Sequence, residues 1–181
     1  ARTAELGQSV EQLTALGEVG QAVSSTLDLQ QVLTTIVTHA VQLSKTDGGG
    51  TIYEFDEAEQ VFVPRTNYGI SPELIEALRK SRQRVGDGSG VGQAALNRAP
   101  VQIPDLLNAP NYPMPFIREA GFRALLAVPL LREERIIGAL VVRRKTSGEF
   151  SREIVGLLQT FAVQSALAIQ NARLFQEIQE K

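Results

Sequence analysis

GFRALLAVPLLREERIIGALVVRRKTSGEFS, residues 121–151, holds two apolar runs that are separated only by REER. Each run is rich in Val, Leu and Ile and is far shorter than the about 20 apolar residues of a membrane-spanning helix. Both runs therefore indicate buried strands. Because a parallel pair would need a long crossover, the short polar link predicts an antiparallel hairpin. Few polar side chains occupy either face, so we expect this hairpin at the centre of a sheet that is covered on both sides.

The composition excludes several classes of function. The 181 residues carry a net charge of −2, which gives no basic surface for nucleic acid. No segment resembles a signal peptide or a transmembrane helix, so we expect a cytoplasmic protein with no membrane partner. The absence of cysteine excludes disulfides, thiolate nucleophiles, cysteine metal sites and thioether-linked cofactors. The chain begins with Ala1 rather than Met, and we expect a piece of a longer protein.

The other elements follow from the apolar spacing on either side of the hairpin. Residues 1–24 and 29–45 have the spacing of helices, and TIYEFD and VFVPRTNY have that of short strands. SPELIEALRKSR has a Ser cap and a Pro at the first helical position, which predicts a third helix. GVGQAALNR indicates a short helix, PVQI a short strand and residues 151–180 a long last helix. Between PVQI and the hairpin, PDLLNAPNYPMPFIREAG carries four prolines and predicts an ordered, irregular loop.

The helices at the two ends carry apolar seams with steps of four and three residues. Helices use such seams when they pair, and a terminal helix gains little stability unless its seam is covered. We therefore predict that both helices pair with their copies in a homodimer. The alternative is that they pack only on each other within one chain. The predicted seam residues are Leu6, Val10, Leu13, Ala168, Asn171, Phe175 and Ile178.

This order of elements resembles a GAF domain of bacterial multidomain sensor histidine kinases. The segments that carry the resemblance are SSTLDLQQVLTTIV, GFRALLAVPLL, IIGALVV, GEFS and LLQTFAVQSALAIQNARLFQEIQEK. The resemblance implies an α+β fold with a central six-stranded antiparallel sheet. Long N- and C-terminal helices would cover one face, and small helices and loops would form a ligand pocket on the other. The chain would then divide into a linker and signalling helix at residues 1–24 and a GAF domain at residues 25–181.

The same resemblance implies a function in signal transduction. A sensory or regulatory module of a two-component histidine kinase would bind a small ligand or respond to adjacent domains of the same chain. It would pass the change through its terminal helices to an output domain. ATP would bind only in the kinase domain of the parent, and this segment would not itself be an enzyme. The alternative is a dimerisation spacer whose pocket is filled by its own side chains.

The identity of a ligand stays open, although some ligands are disfavoured. Members that bind cyclic nucleotides often carry an Asn-Lys pair after the last strand, and here Arg144 stands in the place of the Asn. Covalent bilin attachment and methionine sulfoxide reduction, both known in GAF domains, require cysteines that this chain lacks. GDGSGVGQ, residues 86–93, has no following Lys-Ser or Lys-Thr, so it indicates a helix entry more than a phosphate cradle. His39 is the only histidine, and a single histidine in a chain without cysteine makes a poor metal site.

The candidate pocket residues lie on strands or in the proline-rich loop. Tyr53 and Phe55 are two apart on one strand and share a face. Asp105 follows a short strand, where it would either face the pocket or cap a turn. The aromatic candidates suit a core as well as a ligand contact, and VRRK at the end of the second apolar run is expected in solvent. The complete set is Tyr53, Phe55, Tyr68, Asp105, Tyr112, Phe116, Arg118 and Phe122.

Overall fold

The computed structural model describes residues 29–109 and 111–180, with side chains through residue 174. Helices and strands alternate irregularly along this range, as the spacing of apolar residues predicts. The elements are α1 (Leu29–Ser44), β1 (Gly50–Asp56), β2 (Val61–Tyr68), α2 (Pro72–Ser81), α3 (Gly90–Asn97), β3 (Val101–Ile103), a 3-10 turn (Leu106–Asn108), α4 (Pro115–Glu119), β4 (Ala124–Arg132), β5 (Arg135–Arg144) and α5 (Arg152–Glu180).

The sheet is antiparallel, with the strand order β2-β1-β5-β4-β3. The predicted hairpin is confirmed, because β4 and β5 pair along their whole length from Ala124↔Arg144 to Arg132↔Arg135. Its two-residue turn places Glu133 and Glu134 at φ values of 51° and 69°. Both values lie in the left-handed region that tight hairpin turns with the right twist require. This hairpin supplies two of the three inner strands of the sheet.

The described residues form five strands, not the six that the family resemblance implied. Beyond β2, the sheet is continued only by a single bridge, in which Phe62 N donates to Gln83 O over 2.9 Å. Arg82, the residue before Gln83, ends α2 in the left-handed conformation. The chain then turns toward α3, so no further residue of this segment reaches the edge of β2. Among the described residues, this edge of the sheet therefore carries one isolated bridge and no further strand.

Both faces of the sheet are covered, as expected from the apolar hairpin. Helices α1 and α5 pack on one face, where Leu140 and Val142 of β5 join their apolar cluster. Helices α2, α3 and α4 and the proline-rich loop cover the other face, where Ala139 and Val141 join a second cluster. Since side chains alternate along a strand, β5 contributes to both cores.

Helix α5 spans 29 residues, or about 44 Å at 1.5 Å per residue. Ala168 is buried in the apolar cluster of its own chain, with 4% of its surface exposed. It therefore takes part in packing within the domain, and Asn171 is half-buried. The other predicted seam residues lie outside the part of the chain whose side chains the structure describes; these are Leu6, Val10, Leu13, Phe175 and Ile178. None of the described helices is long and apolar enough to cross a membrane.

Candidate functional site

A small internal cavity lies between the sheet and the layer of α2, α3 and α4. We call it the sheet cavity. The space open to the centre of a water molecule is about 10 Å³, which holds about one water. Its wall is mostly apolar, but it includes a charged side chain, an amide and two phenols. The lining residues are Tyr53, Leu78, Gln83, Val91, Tyr112, Met114, Ile117, Leu125, Val141 and Arg143.

Arg143 is the charged residue of this wall, and it is 2% exposed. The register of β1 with β5 pairs Thr51 with Val141, so Thr51, Tyr53 and Arg143 lie on the same face. One guanidinium nitrogen donates to Thr51 Oγ1 over 3.0 Å and another to Tyr53 Oη over 3.3 Å. No carboxylate of the described residues lies within 4 Å of it. The expectation that VRRK lies in solvent is therefore wrong for Val142 and Arg143, because β5 continues between β1 and β4 to Arg143.

Gln83 supplies the amide of the wall and is also 2% exposed. Its backbone carbonyl is fixed by the bridge to Phe62, which leaves the side chain pointing into the domain. The Nε2 atom is buried and has no hydrogen-bond partner. A buried donor without an acceptor is rare in folded proteins, since most of them are paired. The cavity thus combines an unneutralised cation with an unpaired amide donor.

Tyr112 connects the proline-rich loop to α3. Its hydroxyl oxygen accepts a hydrogen bond from Gly90 N over 3.1 Å, at the first residue of that helix. Burial raises the pKa of Tyr112 to about 12, although the Gly90 hydrogen bond acts in the opposite direction. The phenol is therefore neutral over the physiological range, and it closes the cavity on the side of the loop.

The glycine-rich entry to α3 is filled by the chain's own groups. The Asp87 carboxylate accepts from Arg84 N at 2.8 Å, Ser89 N at 2.9 Å and Ser89 Oγ at 2.6 Å. Ser89 Oγ in turn accepts from Gly92 N at 2.9 Å and caps the helix. An anion in this loop would meet a carboxylate already in place, so the segment acts as a helix entry.

Two of the predicted pocket residues, Tyr53 and Tyr112, line the sheet cavity, and the other aromatic candidates do not. Phe55 is buried against Phe62, with ring centroids 4.8 Å apart. Phe122 is buried and Phe116 half-buried in the same apolar cluster. Tyr68 is 37% exposed at the end of β2.

The polar candidates of the proline-rich loop organise the backbone. Asp105 caps the 3-10 turn by accepting from Leu107 N at 3.1 Å. The backbone carbonyl of Arg118 accepts a hydrogen bond from the Arg123 guanidinium at 3.1 Å. The side chain of Arg118 is half-buried. Neither side chain lines the sheet cavity.

Sequence reasoning missed Arg143 and Gln83. Strand alternation could have found the first, because Arg143 lies two residues after buried Val141 on the same face. No sequence signal marks Gln83, which follows an amphipathic helix in a polar stretch.

A larger, open depression of about 430 Å³ lies at the other end of β1. Most of its charged groups already neutralise one another. Glu54 accepts from Arg65 and from Arg173, each at 2.8 Å, and Glu57 pairs with Arg135 at 2.6 Å. Asp56 has no cationic partner within the described range and accepts from Ala58 N at 3.0 Å and Glu59 N at 3.1 Å. Among the described residues, the depression therefore presents no unpaired cation, unlike the sheet cavity. Within the described range, no three His, Cys, Asp or Glu residues are grouped so that they could hold a metal ion.

Comparison with solved structures gives relatives that share this fold. The GAF domain of phosphoenolpyruvate-protein phosphotransferase from Acinetobacter has a TM-score of 0.73 and 23% identity, over 92% of this chain and 98% of that one. The GAF domain of a protein assigned as a sensor histidine kinase from Pseudomonas syringae pv. tomato has a TM-score of 0.68 and 17% identity. The match covers 98% of this chain and 97% of that one.

A third relative is an enzyme, the free methionine-R-sulfoxide reductase of Neisseria meningitidis. It has a TM-score of 0.72 and 19% identity, over 89% of each chain. No curated protein is a significant match to the sequence. At these identities the solved structures support the fold alone. The family model of the GAF domain, however, matches residues 26–170, which is well over half of the 181 residues. The chain therefore belongs to the GAF domain family.

Proposed function

We propose that this chain is a non-catalytic sensory or regulatory domain of a larger signalling protein, and that it binds a small molecule in the sheet cavity. The observation that carries this proposal is the presence of two buried polar side chains, one charged and one an amide, in a mostly apolar cavity wall. Arg143 and the unpaired amide of Gln83 lie inside an otherwise apolar core. Buried polar groups without partners cost stability, so a wall that served packing alone would be apolar.

A two-component sensor histidine kinase is the proposed parent. The likeness to the Pseudomonas syringae protein, which extends over 98% of this chain, supports that context. ATP would bind in the kinase domain of the parent, and the adjacent domains of the same chain would be the direct partners. A cytoplasmic location agrees with the composition. The assignment of domains at residues 1–24 and 25–181 belongs to the same proposal.

The signal would leave through α5 and a homodimer contact. Val163 and Leu174 of α5 are 55% and 51% exposed, and their spacing of eleven residues places both on one helix face. We propose that this face of α5 forms part of the homodimer contact. Ala168 is buried against its own domain and is not available for that contact. Light scattering of the chain should give the mass of a dimer. Val163→Glu with Leu174→Glu should give a monomer with unchanged circular dichroism, whereas a monomeric parent chain would contradict the proposal.

A ligand-free dimerisation spacer is the second candidate, and the small size of the cavity favours it. Thermal unfolding in the presence of a panel of small metabolites separates the two. A ligand that binds only the folded state raises the melting temperature in a concentration-dependent way. If no compound raises the melting temperature, the spacer function replaces ligand sensing.

A further inference from the structure

We propose that the ligand of the sheet cavity is a small monocarboxylate with an apolar body, bound by Arg143 and Gln83. This inference rests on the proposed function and adds to it the chemical class of the ligand. It depends on the charge of the wall, on its unpaired donor, and on the kind of surface that surrounds them.

The charge of the cavity wall requires an anion. A buried charge is costly unless an opposite charge and hydrogen bonds compensate for it. Arg143 has two hydrogen bonds on its five N–H groups, and both acceptors are neutral hydroxyls, Thr51 Oγ1 and Tyr53 Oη. No carboxylate among the described residues pairs with it. An anionic ligand would supply the missing charge at the remaining N–H groups.

The unpaired donor of the wall is the second, independent observation. Gln83 Nε2 is buried in a residue that is 2% exposed, and it lacks an acceptor. Arg143 approaches the cavity from β5, whereas Gln83 approaches it from the segment after α2. Oxygen atoms of one ligand could accept from both residues. The need for an acceptor and the need for a negative charge are met together by a carboxylate.

The remainder of the wall limits the ligand to a small monoanion. One guanidinium balances one negative charge, and its planar fork matches a carboxylate with two parallel hydrogen bonds. A phosphate dianion would leave an excess charge buried among apolar groups. The apolar lining suits a short hydrocarbon body; it consists of Leu78, Val91, Met114, Ile117, Leu125 and Val141.

Binding must enlarge the cavity, since it holds only about one water. The proline-rich loop and α4 contribute Tyr112, Met114 and Ile117 to the wall, and Met114 is unbranched and adaptable. We infer that these residues move outward when the ligand enters. The hydrogen bond from Gly90 N to Tyr112 Oη would then report the opening.

The test measures binding of defined probes by the whole chain. Sodium acetate, propionate and butyrate are titrated in chloride buffer, with acetamide and propionamide as neutral isosteres and sodium chloride at equal ionic strength. We expect a saturable rise in melting temperature with at least one carboxylate and none with the amides. Calorimetry gives the dissociation constant, and the Nε–H resonance of Arg143 should shift during the same titration.

Three variants assign the binding to these residues. Arg143→Met should weaken the carboxylate by about tenfold or more, because hydrogen bonds to a charged group are lost. Arg144→Met is the matched control, since this neighbour points to the other side and lies over Phe150 at 4.2 Å, outside the cavity. Gln83→Glu places a carboxylate beside Arg143 within the wall, so it should abolish binding while keeping or raising the melting temperature.

Several outcomes would overturn the inference. If a neutral compound binds and Arg143→Met binds it equally well, the ligand class is wrong although the sensory function stands. If inorganic phosphate binds more tightly than every carboxylate, the assignment to a monocarboxylate is wrong. If no compound binds and Gln83→Glu alone raises the melting temperature, both the ligand class and ligand sensing fail.

Discussion

The ionisation of Tyr112 gives a quantitative test of the closed cavity. Burial raises the pKa of this phenol from 10.0 to about 12. The folded-state pKa lies above the unfolded value, so the stabilisation is fully present below pH 10 and is lost as the pH rises through 12. A shift of two units corresponds to about 2.7 kcal/mol in total, of which about 1.4 kcal/mol is lost by pH 11.

Urea unfolding at pH 8 and pH 11 of the parent chain and of Tyr112→Phe measures this loss. At pH 8 the variant should be less stable by about 1 kcal/mol, because Gly90 N loses its acceptor. At pH 11 the two chains should be nearly equal, because only the parent chain has this phenol to ionise. Tyr68→Phe is the matched control, because it removes a phenol that is 37% exposed. Its free energy of unfolding should depend on pH in the same way as that of the parent chain.

Equal losses between pH 8 and pH 11 in the parent chain and in Tyr112→Phe would refute the reasoning. The phenol of Tyr112 would then be solvated in the folded protein. The proline-rich loop would then not close over the sheet cavity in solution, and the cavity would be larger than the volume given above.

Two further predictions concern the attachment of α5 to the sheet, and both are measured by urea unfolding at pH 7. Phe161→Ala should lower the free energy of unfolding by about 3–5 kcal/mol because the ring is fully buried, whereas Gln159→Ala on the exposed side should change it by less than about 0.5 kcal/mol. Glu54→Gln should cost about 1 kcal/mol, decreasing with added salt, because Glu54 is 18% exposed and accepts from Arg173 at 3.0 and 2.8 Å. Glu57→Gln, whose ion pair is half exposed, should be close to neutral, and a larger effect than that of Glu54→Gln would contradict this ranking.

Much of the fold could be predicted from local signals. The apolar runs on either side of REER specify β4 and β5, and Ser71 with Pro72 marks the start of α2. The strand count was overestimated because it came from the family resemblance and not from the residues. Whether a segment adds a strand to a sheet edge depends on the path of the chain after α2, which local spacing does not encode.

The candidate site could be predicted only in part. Tyr53, on a buried strand, and Tyr112, in the proline-rich loop, line the cavity, whereas Phe55 on the same strand as Tyr53 does not. The burial of Arg143 is a tertiary effect, because β1 and the loop that cover it are distant in sequence. A charged residue at a strand end is usually solvated, but pairing with β1 up to Val142 on one side and with Leu125 of β4 on the other keeps this one inside. Gln83 becomes buried for the same reason, through its bridge to Phe62.

The two faces of β5 give a physical route from the cavity to the terminal helix. Arg143 faces the cavity, whereas Val142 belongs to the cluster that contains Phe161 of α5. An anion bound at the remaining N–H groups of Arg143 would act on the strand between two packed layers. Closely packed interiors respond to such changes by shifting between discrete arrangements rather than by absorbing them locally. A ligand that prefers one arrangement about fiftyfold would bias α5 by about 2 kcal/mol, which is within the usual range of coupling between sites.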